Sequence, residues 1–265
     1  MSWPLFKSNI KTNLTIWIIM TLIFIFYFSS IGSVYDPEGS EALNDMMKIM
    51  PEELIDAFGF GSIGTTLLTM LISFMYGMLL FMFPLIISIV VNHRIIAKHI
   101  DRGSMAYMLC TTNSRKKIAF TQALFSLASI TAFFVFVTVF GILICEGMFP
   151  GELEIGKFIF LNFYALLLYF AIGGIGFFAS SIATESKHSL GLGIGLPVGF
   201  LILQMLGNST SNSWIGNLSL YALFEPSKLV EGDSFIYIGM TVFILIAAAL
   251  YLGGIAIFSK RDLYI

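Results

Sequence analysis

The amino-acid sequence predicts an all-α integral membrane protein with six transmembrane helices, and three observations predict it. The chain is 57% hydrophobic and 11% charged over 265 residues, with mean hydropathy +0.91. A soluble domain carries about 25% charged residues, so this chain cannot cover its apolar surface with polar groups. Six stretches have the length and apolar content of a spanning helix, and none contains Asp, Glu, Lys, Arg or His. The basic residues are segregated between the segments that join them. The whole chain, 1–265, reads as one transmembrane domain.

The elements follow in order. Ser2 to Lys11 places Trp3, Phe6 and Ile10 on one helical face beside Lys7 and Lys11, the pattern of a short helix lying at the membrane interface. The first span covers about 14–32. It is too long for a signal-peptide core, and Ser33-Val34-Tyr35 is a poor cleavage site, so it is expected to remain as a span. Segment 40–58 follows, with Leu43, Met46, Met47, Met50, Leu54 and Phe58 opposite Glu41, Asp45, Glu52 and Asp56. This reads as an amphipathic helix broken near Pro51, on the outer membrane surface or capping a dimer. The second span covers about 65–91, and a polar loop occupies 92–117. Ile95, Ile96, Ile100, Met105, Met108 and Leu109 recur there near helical spacing, amid six Lys and Arg residues. The remaining spans cover about 118–145, 158–182, 190–206 and 235–258. All must be helices, because an isolated segment in hydrocarbon satisfies its backbone hydrogen bonds only internally.

Charge sets the orientation. Lys7, Lys11, Arg94, Lys98, Arg102, Arg115, Lys116, Lys117, Lys187, Lys260 and Arg261 fall on one side; Lys48, Lys157 and Lys228 fall on the other. The side holding the majority is cytoplasmic by the positive-inside rule, which puts both termini inside a plasma-membrane protein. Cys110 and Cys145 are then separated by the bilayer, cannot form a disulfide, and read as apolar fillers.

Several chemical readings fail on context. Gly151 to Lys157 resembles a phosphate-binding loop, but Phe158 stands where a magnesium-binding hydroxyl is needed and the loop faces outward. Gly59 to Gly64 spells GxGxxG without a preceding strand. Asn208 and Asn217 begin glycosylation sequons, which matter only in a host with that machinery. All three read as chance matches. His93, His99 and His188 lie in polar loops, so no histidine stands at membrane depth to serve a serine nucleophile or a metal. The chain is not expected to be an enzyme. An ion-coupled carrier working alone is the alternative from another class, with Pro197 among glycines as a candidate break in the fifth span. Such carriers normally place ionisable residues within the spans, and here the interior offers only Ser, Thr, Asn162, Gln122 and Gln204. A non-transporting scaffold is a third reading.

Ile100-Asp101-Arg102-Gly103-Ser104-Met105-Ala106-Tyr107-Met108-Leu109, followed by Asn113-Ser114-Arg115, resembles the cytoplasmic loop of ABC-2 type ABC transporter permeases. In that family an acid pair, Gly-Thr-Leu, leucines and Pro-(Val/Ile)-Ser-Arg occupy these places; Ile100 replaces the first acid, and Asn113 falls near the usual proline. Met50 to Gly59 is similar to the outer segment of a peptide- and antibiotic-exporter branch. Gly254 to Leu263 is similar to the family's C-terminal stretch.

The resemblance implies a permease subunit that pairs with a second copy, as a homodimer or a related heterodimer, and docks a separate ABC ATP-binding subunit. ATP and magnesium would belong to that partner, and this chain would bind no cofactor. Residues Ile100, Asp101, Arg102, Gly103, Ser104, Met105, Met108 and Leu109 would form the coupling helix. Arg115, with Lys116 and Lys117, would anchor it, and Glu185 to His188 would make a second contact.

Small residues mark the fourth and fifth spans: Gly173, Gly174 and Gly176, then Gly191, Gly195 and Gly199 at intervals of four. That spacing suits close helix packing within one subunit, with a substrate path as the other reading. A path without charge suits an amphipathic peptide or lipid-like cargo, in contact with membrane lipid, and no nucleic acid is expected as a partner. Export of peptides and resistance to peptide antibiotics are what this branch implies.

Overall fold

The computed structural model describes residues 1–32, 35, 49, 51, 55, 66–76, 80–101, 103, 105, 114–209 and 214–260. In chain order its helices are α1 (Trp3–Gly32), α2 (Leu67–Phe74), α3 (Leu80–Asn92), a π-turn (His93–Ala97) and α4 (Lys98–Asp101). After these come α5 (Arg115–Met148), α6 (Ile155–Ile182), α7 (Ser186–Ser209), α8 (Pro226–Glu231) and α9 (Phe235–Lys260). Short 3₁₀ turns at Gly216–Leu218 and Leu220–Leu223 lead into α8, and no strand occurs among the described residues.

Six helical stretches among these residues are long and apolar enough to cross a membrane: Trp3–Gly32, Met82–Asp101, Arg115–Met148, Ile155–Ile182, Ser186–Ser209 and Phe235–Lys260. Their outer faces carry exposed Leu22 and Phe26 on α1, Val135 and Leu143 on α5, Leu196 and Ile202 on α7, and Leu245 and Leu252 on α9. A continuous apolar exterior of this kind needs hydrocarbon or protein against it, not water.

Two elements differ from the sequence expectation. No separate interfacial helix forms over Ser2 to Lys11; these residues are the opening turns of α1. No Gly or Pro interrupts the junction. Its polar side chains bond within their own helix, Thr12 Oγ1 to the Ser8 carbonyl at 3.0 Å and Asn13 Nδ2 to the Asn9 carbonyl at 2.9 Å. This end of α1 is also held against α5. The Ser2 N–H donates to Thr121 Oγ1 at 2.8 Å, and Phe6 stands edge-on to Phe125 with centroids 5.3 Å apart. The second difference is at the end of the second span. The helix does not stop near residue 91 but runs through the π-turn to Asp101, carrying Arg94 and Lys98 with it. Of segment 40–58, only Ile49, Pro51 and Ile55 are described, so the amphipathic helix expected there lies outside the described residues.

The centre of the bundle is α6, which packs against α9, α7, α5 and α3. It is the most buried of the six spans and α7 the least. An aromatic cluster locks α1 to its neighbours: Phe24 sits within 5.6–6.3 Å, centroid to centroid, of Phe28, Phe83, Phe133, Phe136 and Phe140. Edge-to-face pairs of this kind add about 0.5–1.5 kcal/mol each beyond area burial. The 151–157 segment is part of a tight α5–α6 turn with no preceding strand. Lys157 is paired with Glu154 at 2.8 Å, which agrees with setting aside a phosphate-binding role.

Candidate functional site

The polar end of the bundle, where α1 and α5 begin and α4 ends, holds the described part of the loop that the sequence singled out. Ile100 and Asp101 close α4, and the chain turns at Gly103, whose N–H donates to the Ile100 carbonyl at 3.0 Å. Gly103 has φ +66, and a Cβ placed there would meet nothing within 4 Å among the described residues. This left-handed backbone conformation favours glycine at the position. Met105 is 1% exposed and belongs to the hydrophobic core. Its side chain therefore fastens this part of the loop to the bundle. Arg102, Ser104, Met108 and Leu109 lie outside the described residues.

Ser114 explains part of the Ser-Arg motif. Its side chain accepts from the Lys117 N–H at 3.2 Å, an N-cap that starts α5 and sets Arg115, Lys116 and Lys117 on its first turn. Across the end of the bundle, Asp101 Oδ1 accepts a long hydrogen bond, 3.4 Å, from the Ser186 N–H at the start of α7. A carboxylate beside a helix N-terminus is favoured by the helix dipole. The two polar segments that the sequence marked separately, around Asp101 and around Glu185, thus meet. Glu185 pairs with Lys187 at 2.8 Å, and that ammonium, bonded to it, holds the Glu185 carboxyl below the usual carboxylate range.

Beneath this surface lies a polar clamp that sequence reasoning missed. The π-turn changes the backbone pairing at its site, and the Ile95 carbonyl there accepts from Gln122 Nε2 of α5 at 2.8 Å. Gln122 Oε1 in turn accepts from Asn9 Nδ2 of α1. Arg94 adds a bond from its guanidinium to the Thr12 carbonyl at 3.1 Å. One level deeper, Asn92 Nδ2 donates to the Gly173 carbonyl of α6 at 3.1 Å, and Ser180 and Ser189 bond each other across α6 and α7 at 2.8 Å. Gln122 was visible as a polar residue in an apolar stretch, but its partners lie far away in sequence.

The glycines divide into two groups. A Cβ on Gly173 would stand 2.6 Å from Ile130 Cδ1 and 2.9 Å from the Tyr251 hydroxyl, and one on Gly176 would stand 3.1 Å from Asn92 Nδ2. These two permit close approach inside the subunit. Among the described residues, a Cβ on Gly191, Gly195 or Gly199 would meet nothing within 4 Å. Gly193, by contrast, stands against the Gly176 backbone in the contact of α7 with α6.

Among the described residues no group of three or more His, Cys, Asp or Glu side chains could hold a metal ion. No protein-family model matches the chain, and neither a curated protein nor a solved structure does.

Proposed function

We propose that this chain is the membrane-spanning permease subunit of an ATP-driven exporter of the ABC-2 type. It would act as a homodimer or half of a heterodimer in the plasma membrane, with both termini cytoplasmic. The observation that carries this reading is the convergence of Asp101 and Ser186 at one end of the bundle, beside the basic first turn of α5. A separate ATP-binding subunit pressing on this surface would act on α3, α5 and α7 together. The clamp through Gln122 would pass that movement to α1. Alternating access then follows from repacking of rigid helices rather than from bending within them. The cargo that suits such a path is amphipathic or lipid-like, a membrane-active peptide or antibiotic, because the spans offer hydroxyls and amides but no charge.

The test is co-purification with the ABC ATPase expressed from the same source, followed by hydrolysis measurements on the complex. Asp101→Arg reverses the charge facing α7, and Gly103→Trp forces a bulky side chain onto a left-handed backbone. Both variants are expected to lower nucleotide hydrolysis in the complex at least severalfold. Wild-type complex formation and hydrolysis in both would overturn the coupling assignment. Cargo movement into liposomes by the purified chain alone, without nucleotide, would instead establish the ion-coupled carrier.

A further inference from the structure

α1 runs antiparallel to α3 and the π-turn, and two contacts fix the register. Phe24 meets Phe83 with ring centroids 6.2 Å apart, and the Arg94 guanidinium donates to the Thr12 carbonyl at 3.1 Å. Lys98 follows Arg94 by four residues and so stands near the level of Ser8. Lys7 and Lys11 belong to the same stretch of α1, four residues apart on one face. At 1.5 Å per residue, Lys7, Lys11, Arg94 and Lys98 fall within a slice about 6 Å thick.

The charge in this slice is uncompensated. Lys7 and Lys11 are exposed, Arg94 and Lys98 are half-buried, and none of the four forms an ion pair among the described residues. Arg94 donates to a neutral carbonyl, which leaves its charge in place. Asp101, the acid that closes α4, accepts from the Ser186 N–H of α7 instead.

The exposed flank of α1 sets this slice against a bilayer. Trp3 is exposed on one side of the two lysines; Leu14, Ile18 and Leu22 are exposed on the other. An aromatic residue, then cations, then an apolar face is the order expected where a helix passes from water through headgroups into hydrocarbon. The cations of α5 lie farther out. Thr121 and Gln122 are the α5 partners of Ser2 and Asn9, so Lys116 and Lys117 stand about 10–20 Å beyond Lys11 along the bundle. A headgroup layer is about 5–7 Å thick, which leaves those two outside it.

We propose that the flank formed by α1 and the π-turn binds the phosphate of an anionic phospholipid in the adjoining leaflet. Lys11 and Arg94 would approach the phosphate from two helices, with Lys7 and Lys98 adding charge around it. The acyl chains would lie along Leu14, Ile18 and Leu22. The inference rests on the membrane placement proposed above and needs no ATPase partner.

The experiment incubates the purified full-length chain, alone in detergent, with equal amounts of acyl-matched phosphatidylglycerol and phosphatidylcholine. Native mass spectrometry counts the lipid bound. Phosphatidylglycerol should be preferred by roughly tenfold or more, and added salt should shrink the preference. Lys7→Gln combined with Lys11→Gln should cut the ratio at least about fivefold, the worth of one cation at an anionic surface. Both side chains are exposed, so this variant should fold. Lys116→Gln combined with Lys117→Gln should change the ratio by less than about twofold. Because the two lipids compete on one protein, a loss of stability does not mimic a shift in their ratio. Equal binding of the two lipids, or a ratio unchanged by Lys7→Gln with Lys11→Gln, would overturn the proposal. An equal fall with the α5 pair would do the same, since charge anywhere would then suffice. Displacement of phosphatidylglycerol by millimolar inorganic phosphate at matched ionic strength would also overturn it, assigning the site to a soluble anion. None of these outcomes reads nucleotide hydrolysis, so a failure here is distinct from failure of the coupling assignment.

Discussion

At Gly103 the backbone conformation favours glycine. The φ of +66 is strained for any side chain with a Cβ. Gly103→Ala is therefore expected to cost about 1 kcal/mol locally, while Gly103→Asn, a residue that tolerates the left-handed region, should cost less. Hydrogen exchange across Lys98–Asp101 reads this directly: protection should fall in the alanine variant and hold in the asparagine variant. The same turn shows what is legible in a sequence at this scale. A glycine after a short helical pattern could be picked out as special, but nothing in the residue pattern distinguished Met105, which goes into the core, from neighbours expected at the surface. Burial of one methionine depends on the direction in which the turn leaves α4, and that is set by Gly103.

Between helices, the most consequential contacts are side chains reaching backbone carbonyls. Gln122 serves the π-turn and α1 at once, through the Ile95 carbonyl and the Asn9 amide. Gln122→Ala strips both partners inside a buried site and should destabilise the protein by on the order of 2 kcal/mol, since each buried polar group left unsatisfied costs about 1–3 kcal/mol. Thermal unfolding in detergent should show the loss. Gln122→Glu should also be destabilising, because its carboxylate can no longer donate to Ile95. A variant as stable as the parent would mean that the π-turn carbonyl finds another donor and the clamp is not structural. The six apolar helices were legible because hydrophobic length is a property of neighbouring residues. The extension of the second helix to Asp101 was not. The basic residues Arg94 and Lys98 look like a loop in sequence, and only the packing of Ile95 and Ile96 into the core explains why the helix continues beneath them.

For the molecule as a whole, the order of the helices and the placement of charge make one further demand. If all six apolar helices cross the membrane, the chain returns to the side from which it started, and α1 would begin, and α9 would end, on the same face. Ser2 bonds Thr121, which puts the starts of α1 and α5 at one end of the bundle, and both helices leave that end together through the shared Phe24 cluster. On that arrangement the α5–α6 turn near Gly151 and the α8 segment near Lys228 would belong to the opposite face. Cysteine substitutions in a background with Cys110 and Cys145 replaced by serine test this with a membrane-impermeant maleimide. Ser8→Cys and Ser259→Cys should label only in inside-out vesicles, and Glu152→Cys and Ser227→Cys only in right-side-out vesicles. Labelling of Ser8→Cys and Ser259→Cys from opposite sides would require an odd number of crossings, and one of the six helices would have to be re-entrant or interfacial. The candidate would be α7, where a Cβ on Gly191, Gly195 or Gly199 meets nothing within 4 Å among the described residues and whose burial is the lowest of the six. Same-side labelling would instead set the Asp101–Ser186 contact and the basic first turn of α5 on the face holding both termini, where a separate motor subunit would have to bind.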